Sequence, residues 1–222
     1  MYKLFLVLIL PLNFACFEIK AQSTSPSSEP ALRDDKKIAE VDEKNKQIAE
    51  KIRKIRQALD EGATAYYERN YRLAFEKFDE GYNLDPDFWG TAPVMLNNKA
   101  MALIQLGAES YNNSIKAKKD PKPESKPFFL DAIGLLKLSQ EILETAPPPE
   151  DEAAKMQIES TRYVSTKELA QAFRLLVLTD ESRTVEAIEA FENYIRIEND
   201  TALKANAQMN LRKLKSKLKT NK

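Results

Sequence analysis

The side chains that perform covalent or metal chemistry are nearly absent from this sequence. Its 222 residues include no histidine and one cysteine, Cys16. Without imidazole there is no Ser-His-Asp or Cys-His nucleophile system, no His-ligated metal, and no use of the commonest general base near neutral pH. Cys16 sits in an apolar leader. The exported chain is therefore expected to hold no disulfide, no reactive thiolate and no Cys-ligated zinc or iron–sulfur site. Carboxylates remain, 34 Asp and Glu against 34 Lys and Arg, but none fall at the spacing of a Ca2+-binding loop. The expectation is no catalytic residue, no metal and no cofactor, with function carried by binding.

Charge is the next resource. The whole chain balances to zero, which gives no overall drive towards nucleic acid or membrane. Local asymmetry is clearest after Asp200, where Lys204, Arg212, Lys213, Lys215, Lys217, Lys219 and Lys222 are accompanied by no acid. Two readings stay open. One is a basic surface for anionic lipid, an envelope polymer or an acidic partner. The other is a solvated helix face whose cations complement the negative helix end. No Trp or Phe lies on the apolar side of this segment, as membrane docking would want.

The elements that must position these groups begin with an address. Met1-Tyr2-Lys3 is followed by the apolar run Leu4 to Leu12 and then by the polar turn Glu18-Ile19-Lys20-Ala21. This is the layout of a secretory signal peptide, 1–21, too short to span a bilayer. Asn13-Phe14-Ala15-Cys16 resembles a bacterial lipoprotein box, with Asn13 departing from the usual Leu, and makes Cys16 a candidate lipidation site. The product is expected to be periplasmic or secreted, or alternatively an anchored lipoprotein. Residues 22–31, rich in Ser and Pro, read as a linker.

A coiled-coil-like helix is predicted over 32–54. Ile38, Asn45, Ile52 and Leu59 form one seven-residue series and Val41, Ile48 and Ile55 another, the a and d positions of a heptad. Either a homo-oligomer forms through 32–59, or the stripe of one long helix packs on the protein's own first repeat. Lys51 facing Arg56 across a self-pair would repel.

Five Gly and 31% charged residues favour helices over strands. Ile55 to Pro86 carries Gly62 at a close-contact position, Tyr71 after the turn at Arg69-Asn70, Ala74 at the helix crossing, Phe78 beside it, then Gly81 and a terminating Asp85-Pro86. Small residues let two helices approach and the aromatic fills the adjoining gap. This segment resembles a tetratricopeptide (TPR) repeat. Ala132 and Leu136, then Ala187 and Phe191, echo Ala74 and Phe78. The alanines are 58 residues apart (74 to 132) and 55 apart (132 to 187), longer than the usual period of about 34. Candidate first helices are 92–116 and 151–178. Residues 116–127 (KAKKDPKPESKP) read as an extended inserted loop, and 201–222 as a basic capping helix.

The resemblance implies an all-α, right-handed TPR-like stack of about three helical hairpins over 55–200, preceded by a long N-terminal helix. It also implies a non-enzymatic scaffold that takes a protein or peptide partner in a concave groove. Carried over from the matched repeat, Leu59, Ala63, Tyr66 and Tyr67 should face that groove, and from the second hairpin Asn97, Asn98 and Met101. Leu59 and Ala63 occupy positions where the carboxylate-clamp subfamily needs Lys and Asn, so that type of clamp is not expected. Tyr66 and Tyr67 are rigid, amphipathic anchors, or packing residues between hairpins. Trp89 is expected to be buried, seating the second hairpin. Nucleic acid is not an expected partner. Membrane contact is expected only through a lipid anchor or the basic terminal helix.

Overall fold

The computed structural model describes residues 35–149 and 151–220. The leader, the linker, Cys16 and Lys222 lie outside the described residues. These residues form seven α-helices, one 3-10 turn and no strand. None of their helices is long and apolar enough to cross a membrane.

Helix α1 runs unbroken from Asp35 to Tyr67. The chain divides within it into two compact units, 1–53 and 54–222. In the first unit Val41, Ile48 and Ile52 are exposed, Val41 at 56%. The heptad's last positions behave differently. Ile55 and Leu59 are buried in the second unit, so an oligomer seam through 32–59 would have to stop before them.

In the second unit, α1 is followed by α2 (Tyr71–Leu84), α3 (Ala92–Lys116), α4 (Lys122–Glu144), α5 (Glu152–Leu176), α6 (Thr184–Ile197) and α7 (Thr201–Thr220). The boundaries follow from local chemistry. Asn70 caps α2 by accepting from the Leu73 N–H, and Asp151 caps α5 by accepting from the Ala154 N–H at 2.7 Å. Asp200 accepts from the Leu203 N–H at the start of α7.

The ends of α1 and α3 share one motif. Arg69 N–H bonds Tyr66 O and Asn70 N–H bonds Ala65 O; Lys118 and Lys119 repeat this against Ile115 and Ser114. Arg69 (φ 63) and Lys118 (φ 56) occupy the left-handed region, where glycine is the usual residue. Replacing either with glycine removes a Cβ clash with the carbonyl. Each variant is expected to gain about 0.5–1 kcal/mol in urea unfolding. A loss would show that the side chains contribute more than the backbone costs.

The predicted loop at 116–127 is mostly helix. Only 117–121 separate α3 from α4. Pro123 falls in the first turn of α4, where its missing N–H is one of the unpaired groups anyway. Pro127 lies one turn further on the same exposed face, so the carbonyl it leaves without a helical partner is near water. Buried Ser125 donates its hydroxyl to Pro121 O. A lysine- and proline-rich composition thus misreads a solvated helix start as a loop.

Consecutive helices run antiparallel. In the α3–α4 hairpin, Ser139 Oγ donates to Pro93 O at 3.2 Å and Ser114 Oγ to Glu124 at 3.1 Å, with Gly107 against Phe129 between them. Alternate helices run parallel. Gln157 donates to Gly90 O, and Asn97 Nδ2 to Thr161 O at 3.1 Å, so α3 and α5 ascend together. Ala74, Ala132 and Ala187 are each fully buried at the crossings, with Phe78, Leu136 and Phe191 beside them.

Candidate functional site

Helices α3 and α5 run parallel and pack against each other. Tyr66 and Tyr67 close α1 just before the Arg69 turn, and Tyr71 opens α2 just after it. The turn therefore brings three rings together. Tyr66 and Tyr67 have centroids 6.5 Å apart at 83°, and Tyr66 and Tyr71 have centroids 5.2 Å apart at 65°, edge-to-face geometry that aromatic quadrupoles favour. Tyr66 is buried and Tyr67 is 62% exposed.

Polar groups from the neighbouring helices face these rings. The Gln105 side chain of α3 reaches the Tyr66 phenol and favours its ionised form, whereas burial first and Glu168 of α5 second push that phenol well above its ordinary range. The Tyr71 phenol is raised by burial and then by Glu109, with Arg69 opposing. Burial pushes the Glu168 carboxyl up, against the pull of Lys167. Their closest approach is 3.7 Å, too long for a good hydrogen bond.

Burial of the Glu168 carboxyl is therefore expected to cost stability at neutral pH. Its proton is held more tightly folded than unfolded, so its ionisation subtracts stability as pH rises from the ordinary carboxylate range through the folded value. Glu168→Gln is expected to raise the urea midpoint at pH 7.5 and to leave it unchanged at pH 3.5. An equal or lower midpoint at pH 7.5 would show that Lys167 compensates the charge fully.

A second titratable cluster has a different character. Glu198 is buried and accepts from Tyr163 Oη at 2.6 Å, from Tyr194 Oη and from the Asp200 N–H at 2.7 Å. Burial opposes its ionisation, but the two phenols and the backbone N–H groups outweigh it and hold the carboxyl below its usual value. Burial and Glu198 push Tyr163 up to about 12, and Tyr194 is raised from the same causes. With its donors already supplied from within, this carboxylate locks the α5–α6–α7 junction and offers little to a ligand.

The groove-facing residues expected from the sequence separate into three groups. Leu59, Tyr66, Asn97 and Met101 are buried, Ala63 and Asn98 are half-buried, and Tyr67 is exposed. Helix α3 packs against α2, α4 and α5, which covers the faces carrying Asn97 and Met101. Asn97 is spent on Thr161, and its Oδ1 accepts no hydrogen bond from the described residues. Leu59, Tyr66, Asn97 and Met101 are thus enclosed by the chain's own helices. Trp89 is half-buried beside exposed Phe88, 5.7 Å between centroids. Tyr71, Gln105, Glu109 and Glu168 are not among the groove-facing residues expected from the sequence. The aromatic Tyr71 was legible as the residue after the turn, whereas nothing in the sequence marks Glu168, 102 positions from Tyr66, as its neighbour.

The basic face of α7 is partly neutralised. Lys215 pairs with Glu192 at 2.7 Å, Lys217 lies 3.7 Å from Glu181, and Lys204 donates to Glu198 O. Arg212, Lys213 and Lys219 are exposed. Elsewhere buried Lys99 of α3 pairs with Asp79, whose side chain is partly exposed, and its ammonium lies 4.9 Å from the Tyr82 ring centroid. No family model, no curated protein and no solved structure matches this chain.

Proposed function

We propose that this chain is an exported, non-enzymatic scaffold of TPR type that holds a protein or peptide partner against the wall of α1, α3 and α5. The observation that carries the reading is Tyr67, a large amphipathic ring 62% exposed beside buried Tyr66 at the end of α1. Exposed aromatics at the rim of a buried aromatic cluster are good binding anchors. The antiparallel hairpins with alanines at their crossings agree with a TPR-like stack, and such stacks present their first helices as an extended binding surface.

The test is photocrosslinking in the native envelope, with benzoylphenylalanine replacing Tyr67 in one variant and Leu138 in another. Leu138 is exposed on α4. A discrete protein adduct from position 67 and none from 138 is the expected result. Equal labelling from both positions would argue against docking on this wall.

A second reading rests on the exposed Val41, Ile48 and Ile52: a structural lipoprotein that oligomerises through the first half of α1. Deleting 35–53 should then lower the mass seen by light scattering to that of one chain. An unchanged mass would end this reading. Labelling with radioactive palmitate, lost in Cys16→Ser, would separate an anchored product from a soluble one.

A further inference from the structure

The turns of the second unit carry opposite charge at its two ends. Lys126 of α4 meets Asp180 at 2.8 Å, and Lys217 of α7 lies 3.7 Å from Glu181. These pairs place the 117–121 turn, the 177–183 turn and the last turns of α7 at one end, and they occupy the acids of the middle turn. The lysines around them are left over. Lys116, Lys118, Lys119, Lys122, Lys213 and Lys219 are exposed and form no ion pair among the described residues. The one acid among the first four, Asp120, accepts from the Lys122 N–H. Two aliphatic side chains stand at the same end, Ile115 52% exposed and Leu178 41% exposed. The turns at the other end present exposed Asp87, Glu144, Asp151, Glu152 and Asp200.

We propose that this basic end docks on a membrane surface of anionic lipids. A lysine ammonium is a compact point charge without the fork that recognises one carboxylate. Separated lysines therefore suit a diffuse negative surface better than a single acidic side chain. Lipid headgroups offer such a surface, and lysines held near it gain from its potential. A bilayer interface also accepts aliphatic side chains, whereas an acidic polypeptide would leave Ile115 and Leu178 in water. End-on docking keeps the acidic turns away from the lipid charge, so repulsion there sets the orientation.

The test sediments the full chain with vesicles of phosphatidylcholine alone or of equal parts phosphatidylcholine and phosphatidylglycerol. Every variant keeps the apolar leader, so differences among them report the basic end. Tighter partition onto the anionic vesicles is expected. It should fall away as salt rises from about 0.1 M to about 1 M and the screening length shrinks from about 10 Å to about 3 Å. Lys116→Gln with Lys119→Gln, and separately Lys213→Gln with Lys219→Gln, should each weaken it by about tenfold to thirtyfold, since one lysine near an anionic surface contributes about fivefold. Lys44→Gln with Lys46→Gln removes the same charge from exposed positions of the first unit and should leave partition unchanged. Equal partition onto both kinds of vesicle would overturn the proposal. Equal losses in all three lysine pairs would do the same, because net charge alone would then account for binding. Binding to soluble polyglutamate as tight as to the anionic vesicles would assign this end to an acidic polypeptide and overturn the lipid docking.

Discussion

Replacing Phe129 with alanine is expected to destabilise the second unit by about 3–5 kcal/mol, the usual cost of deleting a buried phenylalanine and leaving a cavity. Phe129 is completely buried, and a Cβ on Gly107 would lie 2.6 Å from its Cε1. The ring therefore fills the place that the glycine leaves open, just as Phe78 does against Gly62. Urea unfolding followed by circular dichroism at 222 nm measures the loss. A cost below about 1 kcal/mol would mean that α3 and α4 close up over the missing ring. Gly107→Ala tests the same contact from the other side. It crowds the ring when Phe129 is present and fills space when it is absent, so the double variant should recover part of the loss. That departure from additivity is the signature of direct contact.

Replacing Glu198 with alanine is expected to cost about 2–4 kcal/mol, because the phenols of Tyr163 and Tyr194 and the Asp200 N–H lose their shared acceptor together. Glu198→Gln keeps the size but only one carbonyl oxygen, so its loss should be smaller. The pH dependence carries a definite sign. The Glu198 carboxyl is held below its ordinary range in the folded chain. Its contribution is therefore fully present above the ordinary glutamate value of about 4.3 and is lost as pH falls through the folded value. Comparing urea midpoints at pH 7 and pH 3 reads this directly. The parent chain should lose more on acidification than Glu198→Gln does. Equal losses would show that the carboxylate charge contributes nothing to the junction.

These two effects act at different helix junctions of the second unit, and the sequence foreshadowed them unequally. Helix spans were largely legible, since caps, prolines and apolar spacing are local signals. Segments 92–116 and 201–222 read as helices and are observed as α3 and α7, the latter described as far as Thr220. The alanine echo at 74, 132 and 187 was legible because a crossing tolerates only a small side chain, whatever surrounds it. The partner of that alanine was not. Leu136 was expected to play the part of Phe78, yet the ring that meets a glycine in the second hairpin is Phe129. Both side chains are buried, and residue type alone does not say which one faces the preceding helix. The 116–127 segment failed for a related reason. Proline disfavours helix interiors in general, but at a solvated helix start the missing hydrogen bond costs little.

The sequence by itself determined that this chain is helical, where most helices begin and end, and that histidine and thiol chemistry is unavailable beyond Cys16, because each of these follows from residue type and near-neighbour spacing. Only the tertiary structure decided which side chains meet. It buried Leu59, Asn97 and Met101, left Tyr67 in solvent, and carried Glu168 to Tyr66 and Glu198 to Tyr163 and Tyr194. The physical reason is that burial and electrostatic partnership depend on how parallel and antiparallel helices are set against one another, a relation between distant segments that no local pattern encodes.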